Sequence, residues 1–131
     1  MDAILKSHFL ALYCMVLADG VVDSSELNTL YRIGTEDYGL TPDEIIEAVR
    51  DGGTSFIVPK SLDGKIKLLH DMATVAWADG EIDETETKLL KKYIERFGFQ
   101  PENSSEIAAY LLDSVKAGRS AEDIIEEVTE L

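Results

Sequence analysis

Six carboxylates recur at one spacing. Asp19-Gly20-Val21-Val22-Asp23-Ser24-Ser25-Glu26 and Asp79-Gly80-Glu81-Ile82-Asp83-Glu84-Thr85-Glu86 both read Asp-Gly-x-x-Asp-x-x-Glu, and the two copies start 60 positions apart. Clustered carboxylate oxygens are hard donors, the class that calcium and magnesium take. The same spacing also serves a helix start. Gly ends one helix in the left-handed region, Asp caps the next, and Glu three residues on completes a capping box, each cap contributing about 1 kcal/mol. Asp19 and Asp79 fall outside that structural account. Each follows the C-terminal end of an apolar helix, where the helix dipole disfavours an anion. They need another use: accepting hydrogen bonds from the following loop, or ligating a divalent cation. The metal-ligand set is Asp19, Asp23, Glu26, Asp79, Asp83 and Glu86, with calcium or magnesium the expected ion.

The second copy resembles the last eight positions of a twelve-residue EF-hand loop, including the turn Gly, the Ile and the terminal Glu. The first and third ligand positions would fall on Val75 and Trp77, which cannot ligate. An EF-hand is therefore rejected, and a site built from the remaining acids would bind on the order of millimolar. Other reactive residues read as structure. Cys14 lies on an apolar helix with no second thiol in the chain, the setting of an inert core cysteine. His8 and His70 stand beside apolar residues and are expected to be partly buried and hydrogen-bonded. Trp77 is expected in the core. Gly52-Gly53 lacks the Gly-Lys-Ser/Thr of a phosphate loop. No nucleophile, base and oxyanion donor can be assembled by local spacing, so no catalytic and no cofactor-binding residue is assigned, and the chain is expected not to be an enzyme.

The elements that must carry these residues are helical. Leu5, Phe9, Leu12, Tyr13, Val16 and Leu17 have helix spacing, which predicts a helix over 3–18. Asp23 opens a second, to Tyr38, stopped by Gly39. Thr41-Pro42-Asp43-Glu44 starts a third. Residues 51–61 are irregular, with Phe56, Ile57 and Val58 expected to dip into the core. The pattern then restarts. A fourth helix from about Leu62 runs to the second motif, and a fifth follows to Phe97. Gly98-Phe99-Gln100-Pro101 echoes Gly39-Leu40-Thr41-Pro42 at an offset of 59 and opens a sixth. Ser120 opens a seventh with Ile124, Ile125, Val128 and Leu131 on one face. No stretch alternates with period two, so no sheet is expected. The fold class is all-α: a single helical domain over 1–131 with about seven helices, internal repeats at about 3–50 and 62–117, and a C-terminal helix at 120–131.

The whole-chain balance narrows the partners. The 131 residues hold 26 acidic and 12 basic side chains, a formal net charge of −14. Such a surface repels nucleic acid and anionic membrane. It fits cations or a basic protein partner. One cysteine excludes an internal disulfide and fits a reducing compartment. The apolar run Phe9–Ala18 looks like a signal segment, but the similar run Leu68–Ala78 leads into the same Asp-Gly deep inside the chain. No stretch approaches the ~20 apolar residues of a membrane span. A cytoplasmic protein without membrane insertion is expected, with the oligomeric state left open.

Ala18-Asp19-Gly20-x-x-Asp23-x-x-Glu26 and Ala78-Asp79-Gly80-x-x-Asp83-x-x-Glu86, each after an apolar helix and each followed by a helix closed with Gly and Pro, resemble the TerB-like tellurite-resistance family. A related domain opens some membrane-anchored J-domain co-chaperones. The resemblance spans nearly the whole chain and departs at Thr87, where the first copy has Leu27. It implies an all-helical fold, a bacterial cytoplasmic setting, no catalytic activity, and a role in metal or oxyanion stress through acidic metal-binding surfaces.

Overall fold

A computed structural model describes residues 3–18, 20, 22–50 and 57–129. Seven α-helices account for most of them: α1 (Ala3–Val16), α2 (Ser24–Tyr38), α3 (Pro42–Arg50), α4 (Leu62–Ala76), α5 (Glu84–Arg96), α6 (Ser104–Lys116) and α7 (Ala121–Thr129). There is no strand among the described residues. The all-α expectation holds, and most boundaries fall where the sequence signals place them. The expected turn at Pro101 differs. A 3₁₀ turn, Pro101–Asn103, precedes α6, and the Ser104 hydroxyl donates to the Pro101 carbonyl at 2.9 Å. Of the seventh helix's apolar face, Leu131 lies outside the described residues.

The helix ends are set chemically. Asp23 caps α2, its Oδ1 accepting from the amides of Ser25 (2.8 Å) and Glu26 (3.1 Å). Gly39, at φ 65°, closes the same helix in the left-handed region, and the Leu40 amide returns to the Gly34 carbonyl at 3.0 Å. α3 starts with a reciprocal pair: the Thr41 hydroxyl accepts from the Glu44 amide, and the Glu44 carboxylate accepts from the Thr41 amide. These bonds satisfy amides that a helix start leaves without intrahelical partners.

α1 and α4 form the centre. α1 touches α2, α3, α4 and α5, while α4 touches α1, α2, α5, α6 and α7. The contacts follow the repeat: α1 against α5 in one direction matches α4 against α2 in the other. One apolar core runs through both halves, with Phe9, Leu12 and Met15 from α1 meeting Leu68, Leu69 and Met72 from α4. The irregular segment before α4 is fixed differently from the expectation. Ile57 is half-buried and Val58 is at the surface, and Phe56 lies outside the described residues. The segment is held by its backbone instead: the Ile57 amide donates to the Ser7 hydroxyl at 2.8 Å.

Gly34 marks a close helix approach. A Cβ added there would meet the Ile45 side chain inside van der Waals contact and Phe9 Cε1 at 3.2 Å. A methyl at this point forces α3 and α1 away from α2. Gly34→Ala is therefore expected to destabilise the fold by roughly 1–3 kcal/mol despite Ala being the better helix former, as read by urea denaturation. A gain in stability would contradict this packing.

Candidate functional site

The two acidic motifs lie in equivalent turns. In the second, α4 ends at Ala76, and Asp79 stands three residues further on. Its Oδ1 accepts from the Glu81 amide at 2.9 Å, the local use its position called for. Gly80, at φ 85°, turns the chain. Asp83 then caps α5: its Oδ1 accepts from the Glu86 amide at 2.9 Å and from the Thr85 hydroxyl, while Glu86 Oε1 accepts from the Asp83 amide at 3.2 Å. This is a complete capping box. In the first motif, Gly20 has φ 81° and Asp23 caps α2. Asp19 lies outside the described residues.

The unexpected element is where the two terminal glutamates go. Glu26 and Glu86 are 3% and 4% exposed. Their side chains, one from each repeat, are hydrogen-bonded to each other. Burial pushes Glu26 up to about 8, assisted by the charge of Glu86, the bond to it, and the charges of Asp79 and Asp23. Burial also raises Glu86 to about 7, against the opposing bonds from the Asp83 backbone and from Glu26. Both carboxyls are thus held above the ordinary range, burial being the first cause for each. Glu86 Oε2 is buried without a conventional hydrogen-bond donor.

Two buried carboxyls in contact cannot both remain ionised unless a positive charge joins them. A proton or a cation can fill that role. Of the six sequence-predicted ligands, the structure thus brings together Glu26 and Glu86, with Asp23 and Asp79 near enough to act on them by charge. Asp83 acts on Glu86 and is otherwise committed to its cap. Among the described residues, no group of three or more His, Cys, Asp or Glu is gathered to hold a metal ion.

A second polar cluster was not anticipated. Asp71, 2% exposed, accepts from His8 Nε2 at 2.8 Å, from the Tyr38 hydroxyl at 3.0 Å and from Lys67 Nζ at 3.0 Å. Lys67 also reaches Asp37 at 2.9 Å. Burial pushes the Asp71 carboxyl up, but the His8 and Lys67 contacts outweigh it and hold it below the usual range. Burial and the Asp71 charge raise the Tyr38 hydroxyl well above its ordinary value. The repeat contained the signal. At matched positions, His8, Asp71 and Tyr38 correspond to Leu68, Ala11 and Phe97, so polar groups occupy places the other half fills with apolar ones. Both oxygens of Asp71 are engaged, and His8, Tyr38 and Lys67 also line the adjoining cleft with Ile4, Leu5, Pro59 and Gly64. The cluster clamps α1, α2 and α4 together. His70 is half-buried and hydrogen-bonded as expected, donating to the Arg119 carbonyl at 2.8 Å, whereas Trp77, expected in the core, is only half-buried, its indole donating to the Leu112 carbonyl at 2.8 Å.

Residues 58–109 match the family model described as tellurite resistance protein TerB. No curated protein and no solved structure matches the chain. The matched segment carries the second motif, Asp79 to Glu86, with the helices on either side of it, so the likeness to TerB lies in that part of the chain.

The glutamate pair predicts an unusual pH profile. Both folded-state values lie above the ordinary 4.5, so the native state binds more protons than the unfolded chain. That stabilisation is complete below about pH 4.5 and is lost as pH rises through about 7 to 8. Over that interval stability should fall by roughly 1 kcal/mol or more per pH unit, measured by denaturant unfolding in low-cation buffer. Glu26→Gln keeps a donor to Glu86 and should flatten the decline. An unchanged slope in that variant would contradict the pairing.

Proposed function

We propose that this TerB-like chain is a non-enzymatic, cation-responsive protein of metal or oxyanion stress, in which the duplicated acidic motif binds a divalent cation weakly. The observation that carries the reading is the meeting of Glu26 and Glu86, contributed by equivalent positions of the two repeats and buried together. A cation joining them would satisfy both carboxylates, including the Glu86 oxygen that has no donor. Asp79 and Asp23 add negative potential at the same place. Oxygen-only donors favour calcium or magnesium, and a shell with so few protein ligands fits the weak end of the affinity range, near millimolar. Asp23 and Asp83 contribute chiefly by capping α2 and α5 and thereby aiming the glutamates.

The second reading keeps the motif purely structural within an acidic module that docks a basic protein. It is favoured by the complete capping box at α5 and by the Asp79 turn, which account for those acids without an ion. A titration separates the two. Under the cation reading, calcium or magnesium shifts amides in 22–26 and 79–86, manganese broadens the same signals, and Glu86→Gln weakens the response by roughly tenfold. Asp79→Asn should weaken it less, because that residue acts through charge. Absence of any response in these residues at about 10 mM cation, beyond the weak end of the range, would leave the structural reading in place.

A further inference from the structure

We infer that the cleft between the end of α1 and the N-terminal part of α5 is a docking groove for an acidic amphipathic helix of another protein. The cleft is about 530 Å³ and is distinct from the glutamate pair. α5 presents Thr85, Lys88, Leu89 and Lys92 to it, and the end of α1 presents Cys14 and Leu17. The α5 residues have the spacing of one helix face and extend over two turns, about 10 Å. Leu89 and Leu17 supply an apolar floor, and the two lysines stand at the rim. A groove of this length takes the i, i+3/i+4, i+7 side chains of an incoming helix.

The internal repeat provides a control. The equivalent face of α2 is Ser25, Asn28, Thr29 and Arg32. Leucine at 89 is therefore not demanded by the shared fold. Leu17 corresponds to Trp77, whose indole is bonded to the Leu112 carbonyl and covered by the Lys116 ammonium. Leu17 is instead 41% exposed.

Charge identifies the occupant. The chain has a net charge of −14, yet Lys88, Lys91, Lys92 and Arg96, four of its twelve basic residues, lie on α5. Among the described residues, Lys88 pairs with Glu84 on its own helix, at 3.3 Å between two well-exposed side chains, a contact easily exchanged. Two ammonium groups flanking an apolar floor complement a helix with leucines on one face and acids beside them. A second copy of the chain is disfavoured, because two bodies of charge −14 repel each other before they meet.

The test uses the whole chain and a synthetic amphipathic peptide bearing leucines at i, i+4 and i+7 with flanking glutamates. Its controls are the same peptide with lysines in place of glutamates, and laurate. Cys14, the sole cysteine, is a built-in footprint. The glutamate peptide should slow Cys14 alkylation by a maleimide, and should shift amides in 14–18 and 85–92. Added salt should weaken it. The surface double variant Lys88→Glu/Lys92→Glu, with an unchanged circular dichroism spectrum, should lose roughly tenfold or more in affinity, and Leu89→Thr should lose a comparable amount. Equal binding of the lysine peptide, shifts located elsewhere, protection by laurate alone, or no binding at about 1 mM glutamate peptide would each overturn the inference.

Discussion

A carboxyl buried against another carboxyl must be neutralised, and this constraint sits where the two halves of the molecule meet. Glu26 and Glu86 are carried inward by equivalent helix starts. Their contact requires a shared proton or a cation, because two bare carboxylates at that depth would repel and remain desolvated together. The rest of the motif prepares this contact. Gly20 and Gly80, both at positive φ, turn the chain after α1 and α4. The capping aspartates fix the first turns of α2 and α5, and N3, the position a capping box reserves for glutamate, places the carboxyl on the inner side. Capping and the inward reach of the glutamates are two consequences of one geometry.

Departures from the repeat show which features the fold itself does not require. The Asp71 cluster puts three polar groups, His8, Asp71 and Tyr38, at positions the opposite half fills with apolar ones, and with Lys67 it ties three helices together. A buried carboxylate with three donors is a stable arrangement only when complete; removing one donor leaves a desolvated charge. The α1–α5 cleft shows the reverse departure at one position, where Leu89 stands in place of the other half's Thr29.

Much of the fold was legible because its punctuation is local. Asp23, Gly39, Pro42, Gly80 and Asp83 act within one turn of themselves, so their spacing marked helix ends directly. The core was legible through the 3.6-residue period of α1 and α4. The site was only half legible. Glu26 and Glu86 were recognisable as cap partners and as oxygen donors, but their meeting is a contact across 60 positions, and no local pattern encodes which face of α2 approaches α5. Asp71 stayed hidden for a related reason: its partners come from residues 8, 38 and 67, and only alignment of the two halves exposes the mismatch. The segment at Ile57 was misjudged because its apolar residues suggested burial, whereas the Ser7 hydroxyl holds its backbone.

The most direct test of this account is a carboxyl-carbon NMR titration that follows Glu26 and Glu86 individually in wild-type protein freed of divalent cations. The account predicts that both titrate well above 4.5, that their curves are mutually dependent, and that Glu26→Gln turns the Glu86 curve into a single independent step still above 4.5. Two independent transitions near 4.5 would show that the glutamates do not share a charge, and the central contact between the repeats would be wrong.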